Sequence, residues 1–194
     1  MRSLARLRLL KLVALVVLSL VAFVGVFPQA SDRSPNLAVL PFIESGRAKY
    51  GASEATNRLN EELLKSGKFA MVDRSKIDAI ETELLYKFRD QIDPENTRII
   101  GEKIGAEILI LGNLMEYTEK QKSSLSGMIH YENFIKFNLR AIRSSNAEVI
   151  FSKTFEKFGF SVGAPIGAMN EVAGKSLKDA AMELAKKISL SPEK

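Results

Sequence analysis

Short apolar runs alternate along the chain with stretches in which apolar residues recur every three or four positions, a pattern that predicts strands followed by helices. The first run, Leu37-Ala38-Val39-Leu40-Pro41-Phe42, is continuously apolar and closed by proline, as a buried strand is. A glycine-bounded loop over 44–51 follows. Ala52, Ala55, Leu59 and Leu63 then repeat at helical spacing until Gly67, predicting a helix over 53–65. Phe69 to Val72 predict a second short strand, and Asp73 or Ser75 can cap a second helix carrying Ile77, Ile80 and Leu84 on one face. Asp93-Pro94 marks another helix start, a capping carboxylate followed by proline in the first helical position. That helix presents Ile99, Ile100 and Ile104 and ends at Gly105.

In the second half, Glu107 to Leu114 predict a strand apolar on both faces, as central strands covered by helices are. Glu116 to Ser126 are polar and predict an exposed loop or mobile edge. From Ile129 to Ala141 apolar residues dominate the odd positions and polar ones the even positions, which predicts a strand buried on one face. Ser144 to Ala147 make a tight turn, and Glu148 to Phe158 return as the antiparallel partner. Residues 159–167 break the pattern. A last helix over 168–188 places Ala173, Leu177, Ala181, Leu184 and Ile188 on one stripe. The expected class is α/β (α+β), a mixed sheet of about five strands with packed helices.

The N-terminus has a different character. Residues 1–11 are basic, and Leu12 to Phe27 form a 16-residue apolar stretch before a polar segment begins at Gln29. This order is that of a secretory signal, although Pro28 is a poor residue two positions before a cut at Ala30. An uncleaved anchor is the alternative, its helix of about 24 Å short against a hydrocarbon core near 30 Å. In either case the basic residues hold the N-terminus inside, so the chain from Ser31 is expected outside the cytoplasm, in the periplasm. The expected organisation is a signal peptide or anchor over 1–30, a polar tether over 31–36 and one domain over 37–190.

The net charge of +5 suggests a nucleic-acid partner until its distribution is considered. Arg2, Arg6, Arg8 and Lys11 all precede the apolar stretch, leaving 24 of 28 basic residues against 23 acidic ones, a net +1 for residues 31–194. Phosphate binding needs a concentrated basic surface, so no nucleic-acid partner is expected. The chain has no cysteine, which excludes disulfides, thiolate zinc sites, thiol nucleophiles and an acylated lipoprotein cysteine.

Catalytic patterns are equally sparse. Gly174-Lys175-Ser176 ends like a phosphate-binding loop, but the glycine required five residues earlier is Met169, and the segment lies in a helical pattern. His130 is the only histidine, on the polar side of an alternating strand, so a two-histidine metal site cannot form. Glu61-Glu62, Glu81 with Glu83, and Asp93 with Glu95 fall on helix surfaces or at a helix start, where solvated charge accounts for them. Gly101 and Gly105 have GxxxG spacing, for which a helix C-cap is the simpler account. No enzyme activity, metal or cofactor is expected. Lys120, Lys122, Ser123 and Ser124 form a candidate interaction loop, with a merely solvated loop as the alternative.

The order of these motifs resembles the CsgG-like family of curli production assembly and transport components. The resemblance rests on Leu37 to Phe42, then Gly67 to Arg74, then Ile100-Gly101-Glu102-Lys103-Ile104-Gly105-Ala106-Glu107-Ile108-Leu109-Ile110-Leu111-Gly112, and Ala147-Glu148-Val149. It spans residues 36–155. The matching positions Leu40, Pro41, Phe42, Asp73, Arg74, Gly105 and Gly112 are expected to be structural. The resemblance implies a periplasmic domain that acts through oligomerisation and protein contact, without cofactor. Members include outer-membrane secretion pores, and related domains activate peptidoglycan synthases.

Two departures narrow this expectation. Pore members are lipoproteins with long membrane hairpins, whereas this chain has no cysteine and only residues 129–141 approach the pattern of a membrane strand. The leading expectation is therefore a non-enzymatic envelope protein assisting assembly or secretion, with envelope protein partners and a possible homo-oligomer. Membrane contact is expected only through an uncleaved N-terminal segment. Activation of a peptidoglycan synthase, and a hydrolase using His130 or a helix carboxylate, are the alternatives.

Overall fold

The computed structural model describes residues 34–48, 51–80, 93–123, 129–162 and 165–190. Among these, six strands form one mixed sheet. They are β1 (Asn36–Val39), β2 (Ile43–Glu44), β3 (Ala70–Met71), β4 (Ile108–Ser123), β5 (Ile129–Arg143) and β6 (Val149–Val162). The described helices are α1 (Ala52–Lys65), α2 (Arg74–Asp78), α3 (Pro94–Ile104) and α4 (Pro165–Ser189). The sheet order is β3-β1-β4-β5-β6, with β2 pairing β4. Pairings among β1 to β4 are parallel, while β4, β5 and β6 form an antiparallel meander. The mixed α/β sheet with packed helices is as expected, with one short strand more than the pattern indicated.

Helix α3, which leads into β4, has both of its ends marked in the sequence. Asp93 caps α3 by accepting from the Asn96 N–H at 2.9 Å, and Pro94 occupies the first turn. Gly105 closes α3 at φ 73°, a left-handed conformation that suits glycine. Gly101 does a different job from the expected cap. A Cβ there would lie 2.4 Å from Ser144 Cβ, so its bareness lets α3 pack against the β5–β6 turn. Ser144 fixes that approach by donating to the Ala106 carbonyl at 2.7 Å.

The helices divide between the two faces of the sheet. On one face α1 and α4 cover Leu37, Val39, Ile110, Leu114, Phe137 and Leu139 in the larger core. On the other, α2 and α3 cover Ala38, Leu40, Leu109, Leu111 and Ile142 in a smaller one. Strands covered in this way read as continuous apolar runs, which is why β1 and the start of β4 were legible.

Several boundaries differ from the sequence pattern. The first run leaves the sheet at Leu40, whose N–H still donates to the Ile110 carbonyl at 2.9 Å, and Ile43-Glu44 then re-enter as β2, which takes in the first residue of the loop expected over 44–51. The polar segment expected as a loop or mobile edge over 116–126 is strand from Glu116 to Ser123, its remainder lying outside the described residues. Strand β4 continues to Ser123, because β5 supplies ladder partners for Glu116 to Ser123 regardless of their polarity. A bulge between Leu114 and Glu116 resets the alternation. Likewise β6 runs through Gly159 to Val162, where a break was expected. Leu84, Glu81, Glu83, Ser124 and the segments over 1–30 and 31–33 lie outside the described residues.

Candidate functional site

The family-matching positions cluster in packing and capping roles. Leu40 is buried, and the Phe42 N–H donates to Thr56 Oγ1 at 2.9 Å, tying the chain after Pro41 to α1. The Thr56 hydroxyl in turn donates to the Ala52 carbonyl at 2.7 Å. Gly112 explains itself through Phe42, because a Cβ at that position would lie 2.2 Å from the ring. Phe42, Phe137, Phe155 and Phe151 then form an aromatic column with successive centroid separations of 6.2, 5.4 and 6.4 Å. Asp73 caps α2, accepting from the Ser75 N–H at 2.8 Å and the Ser75 hydroxyl at 2.7 Å. These two bonds hold its carboxyl below the ordinary range. Arg74 Nε donates to Asp78 at 2.9 Å one turn later.

The candidate chemical residues do not converge. His130 lies half-buried on β5, opposite Lys122 and Val162 in the ladder. Glu61 is exposed on α1, and Glu62 accepts from Lys65 Nζ at 2.7 Å, which raises the Lys65 pKa. Gly174, Lys175 and Ser176 sit inside α4, where Glu171 accepts from Lys175 and has its own pKa lowered. Among the described residues, no group of three or more His, Cys, Asp or Glu side chains is arranged to hold a metal ion.

Lys120, Lys122 and Ser123, expected on a loop, are strand residues, paired with Glu132, His130 and Ile129 of β5. Lys122 Nζ lies 2.6 Å from the Glu132 carboxylate. They belong to an arm formed by the outer halves of β4, β5 and β6. On the arm's inner face Tyr131, Asn133 and Ile135 are buried, and α4 lies across it with Val172 over Gly159. Residues opposite one another in an antiparallel ladder share a face. The outer face is therefore built from Thr118, Lys120 and Lys122 of β4, His130, Glu132, Phe134 and Lys136 of β5, and Glu156, Phe158 and Phe160 of β6. No described element covers it.

Two features of this outer face went unread in the sequence. Phe158 and Phe160 stand edge to face with centroids 4.6 Å apart, and are 51% and 69% exposed. Further in, Ile43, Leu111, Asn113, Met115, Asn138, Arg140 and Thr154 line an open recess of 260 Å³. The Phe158-Gly159-Phe160 triplet carried a signal, two aromatics at strand spacing, which the glycine between them masked.

The site thus lies on a mixed sheet with helices on both faces at one end and a long meander arm whose outer face no described element covers. The family model for curli production assembly/transport component CsgG matches residues 8–190, and the chain belongs to this family. No curated protein sequence matches it significantly. Among solved structures, hypothetical protein CT253 from Chlamydia trachomatis superposes with a TM-score of 0.60 at 10% identity, covering 82% of this chain and 100% of that one. The fold is thus shared at negligible sequence similarity. A PelC dodecamer from Paraburkholderia phytofirmans has a TM-score of 0.46 at 16% identity, with 75% and 87% covered. The LpoB C-terminal domain from Salmonella enterica has a TM-score of 0.41 at 15% identity, with 64% and 82% covered.

Proposed function

We propose that this is an exported, non-enzymatic CsgG-family protein that works in the cell envelope by docking protein partners, assisting assembly or secretion. The carrying observation is the bare outer face of the β4–β6 arm, with Phe158 and Phe160 exposed together. Exposed aromatic residues rimmed by polar ones mark contact surfaces, because burying them on association releases their apolar area from water. Lys120, Lys122 and Glu132 interrupt the same face, which favours a protein over lipid as the covering material. The export pattern of residues 1–30 and family membership support the envelope location.

The test is crosslinking in intact cells followed by isolation of the full-length protein. A specific envelope protein recovered with the native chain, and reduced about tenfold with the double variant F158S/F160S at unchanged expression, is the expected result. Undiminished capture by the double variant overturns the arm as the docking face. Recovery of a cell-wall synthase whose rate the domain raises would identify the partner as that enzyme.

A further inference from the structure

The recess beside the arm has a chemistry of its own. Arg140 stands on β5 between Leu111 of β4 and Ser152 of β6, half-buried, and its guanidinium forms no ion pair with a described residue. Two carboxylates farther along the same face are already matched. Glu116 lies 3.6 Å from Arg47, and Glu156 lies 3.2 Å from Lys136. Among the described residues, no carboxylate forms an ion pair with the positive charge in the recess.

The neutral groups around it also present donors. Asn113 Oδ1 accepts from the Ser45 hydroxyl at 2.8 Å, which turns the Asn113 amide nitrogen toward other acceptors. Asn138 Nδ2 donates to Thr154 Oγ1 at 3.2 Å, leaving the Thr154 hydroxyl proton and a second Asn138 N–H to donate elsewhere. A cluster of one guanidinium, two amides and a hydroxyl, all able to donate, matches an anionic acceptor. Ile43, Leu111 and the exposed Met115 supply an apolar wall to the same 260 Å³ space.

We infer that the Arg140 recess recognises a carboxylate side chain flanked by an apolar residue on a segment of a partner protein. The inference rests on the docking role proposed above and names the chemistry of the contact. A planar guanidinium can grip a carboxylate with two parallel hydrogen bonds, and partial burial strengthens the pair relative to a fully exposed one. The apolar wall discriminates against a bare anion, since a free carboxylate buries nothing against Met115 and Ile43.

The experiment titrates the full-length protein with a blocked tripeptide, glutamate between two leucines, following the side-chain amide resonances of Asn113 and Asn138. The controls are the glutamine analogue and acetate. The expected result is saturable shifts with the glutamate peptide, at least about tenfold weaker binding for the glutamine analogue, and a similar loss in R140Q. Equal binding of acetate, or of the glutamine peptide, overturns the inference in favour of nonspecific anion or apolar contact. R140Q also separates this inference from the docking role. If it leaves the crosslinked partner in place while F158S/F160S removes it, the recess inference fails and the arm stands. If neither variant loses the partner, the docking role itself fails. Loss of self-association in R140Q without peptide binding shows a second copy as the occupant and overturns the assignment to another protein.

Discussion

Phe137 and Phe158 lie on neighbouring strands of one sheet, yet Phe137 is fully buried while Phe158 is 51% exposed. The difference follows from the face each meets, since Phe137 shares a face with Phe155 whereas Phe158, opposite Phe134, points to the other. Phe137 faces the side covered by α1 and α4, while α2 and α3 cover the other side only over β1, the start of β4 and Ile142. Farther along the meander α4 is the one described helix that remains, so one face is packed and no described element covers the other. The same hydrogen-bonded ladder runs through both regions, and in the arm it is joined by side-chain burial on one face only. An element can thus be well formed and still keep apolar side chains available for a partner.

The largest expected effect tests that contrast directly. Phe137→Ala removes a ring stacked 5.4 Å from Phe155 and leaves a cavity, so unfolding free energy should fall by about 3–5 kcal/mol. Phe158→Ala should change it by about 0.5 kcal/mol or less, as surface substitutions do. Urea unfolding of both variants decides the matter. A comparable loss in Phe158→Ala would mean that the arm is part of the core, and the two regions would not differ as described.

How much of this was legible depended on whether burial or pairing shaped the segment. Asp93-Pro94 and Gly105 announced both ends of α3, because caps are local chemistry. The runs at Leu37 and Ile108 announced strands because helices cover both of their faces. Glu116 to Ser123 announced nothing, since apolar periodicity reports burial and this strand is defined by its ladder to β5. Gly159 suggested an interruption, whereas the glycine is there because a Cβ would lie 2.3 Å from Val172 Cγ2 of α4. Gly112 was recognised as a family position without its reason, which is the Phe42 ring packed against it from a distant segment. The recess was illegible for the same cause. Ile43, Asn113, Arg140 and Thr154 come from four strands and meet only in the fold.

A smaller effect sharpens the boundary between the two regions. Asn133 is 1% exposed on the packed side of the arm, and neither its Nδ2 nor its Oδ1 has a hydrogen-bond partner. A buried amide without partners keeps its desolvation penalty, so Asn133→Leu, of similar size, should raise stability by about 1–2 kcal/mol. Urea midpoints measure it. A loss of stability instead would show that the amide is satisfied in solution, and that the packed face of the arm is less dry than the inner sheet.

The smallest effect lies at the far edge of the sandwiched region, where α2 begins. The Ser75 hydroxyl and backbone N–H hold Asp73 below its ordinary value of 3.8, so its carboxylate binds protons less readily when folded than when unfolded. The sign follows. Its contribution is fully present above the ordinary carboxylate pKa and is lost as pH falls from there through the lowered folded value. Asp73→Ala should therefore flatten the acid limb of the stability profile below about pH 4 while leaving the slope near neutrality unchanged, measured by thermal unfolding across pH. Because Asp73 is solvent-exposed, water and salt screen the effect, and it should shrink further in high salt. Phe158 and Phe160 carry no ionisable group, so the same scan on F158S/F160S should keep the shape of the native curve at every pH. A displaced acid limb in that double variant would tie the arm to the capped helix and erase the distinction between them.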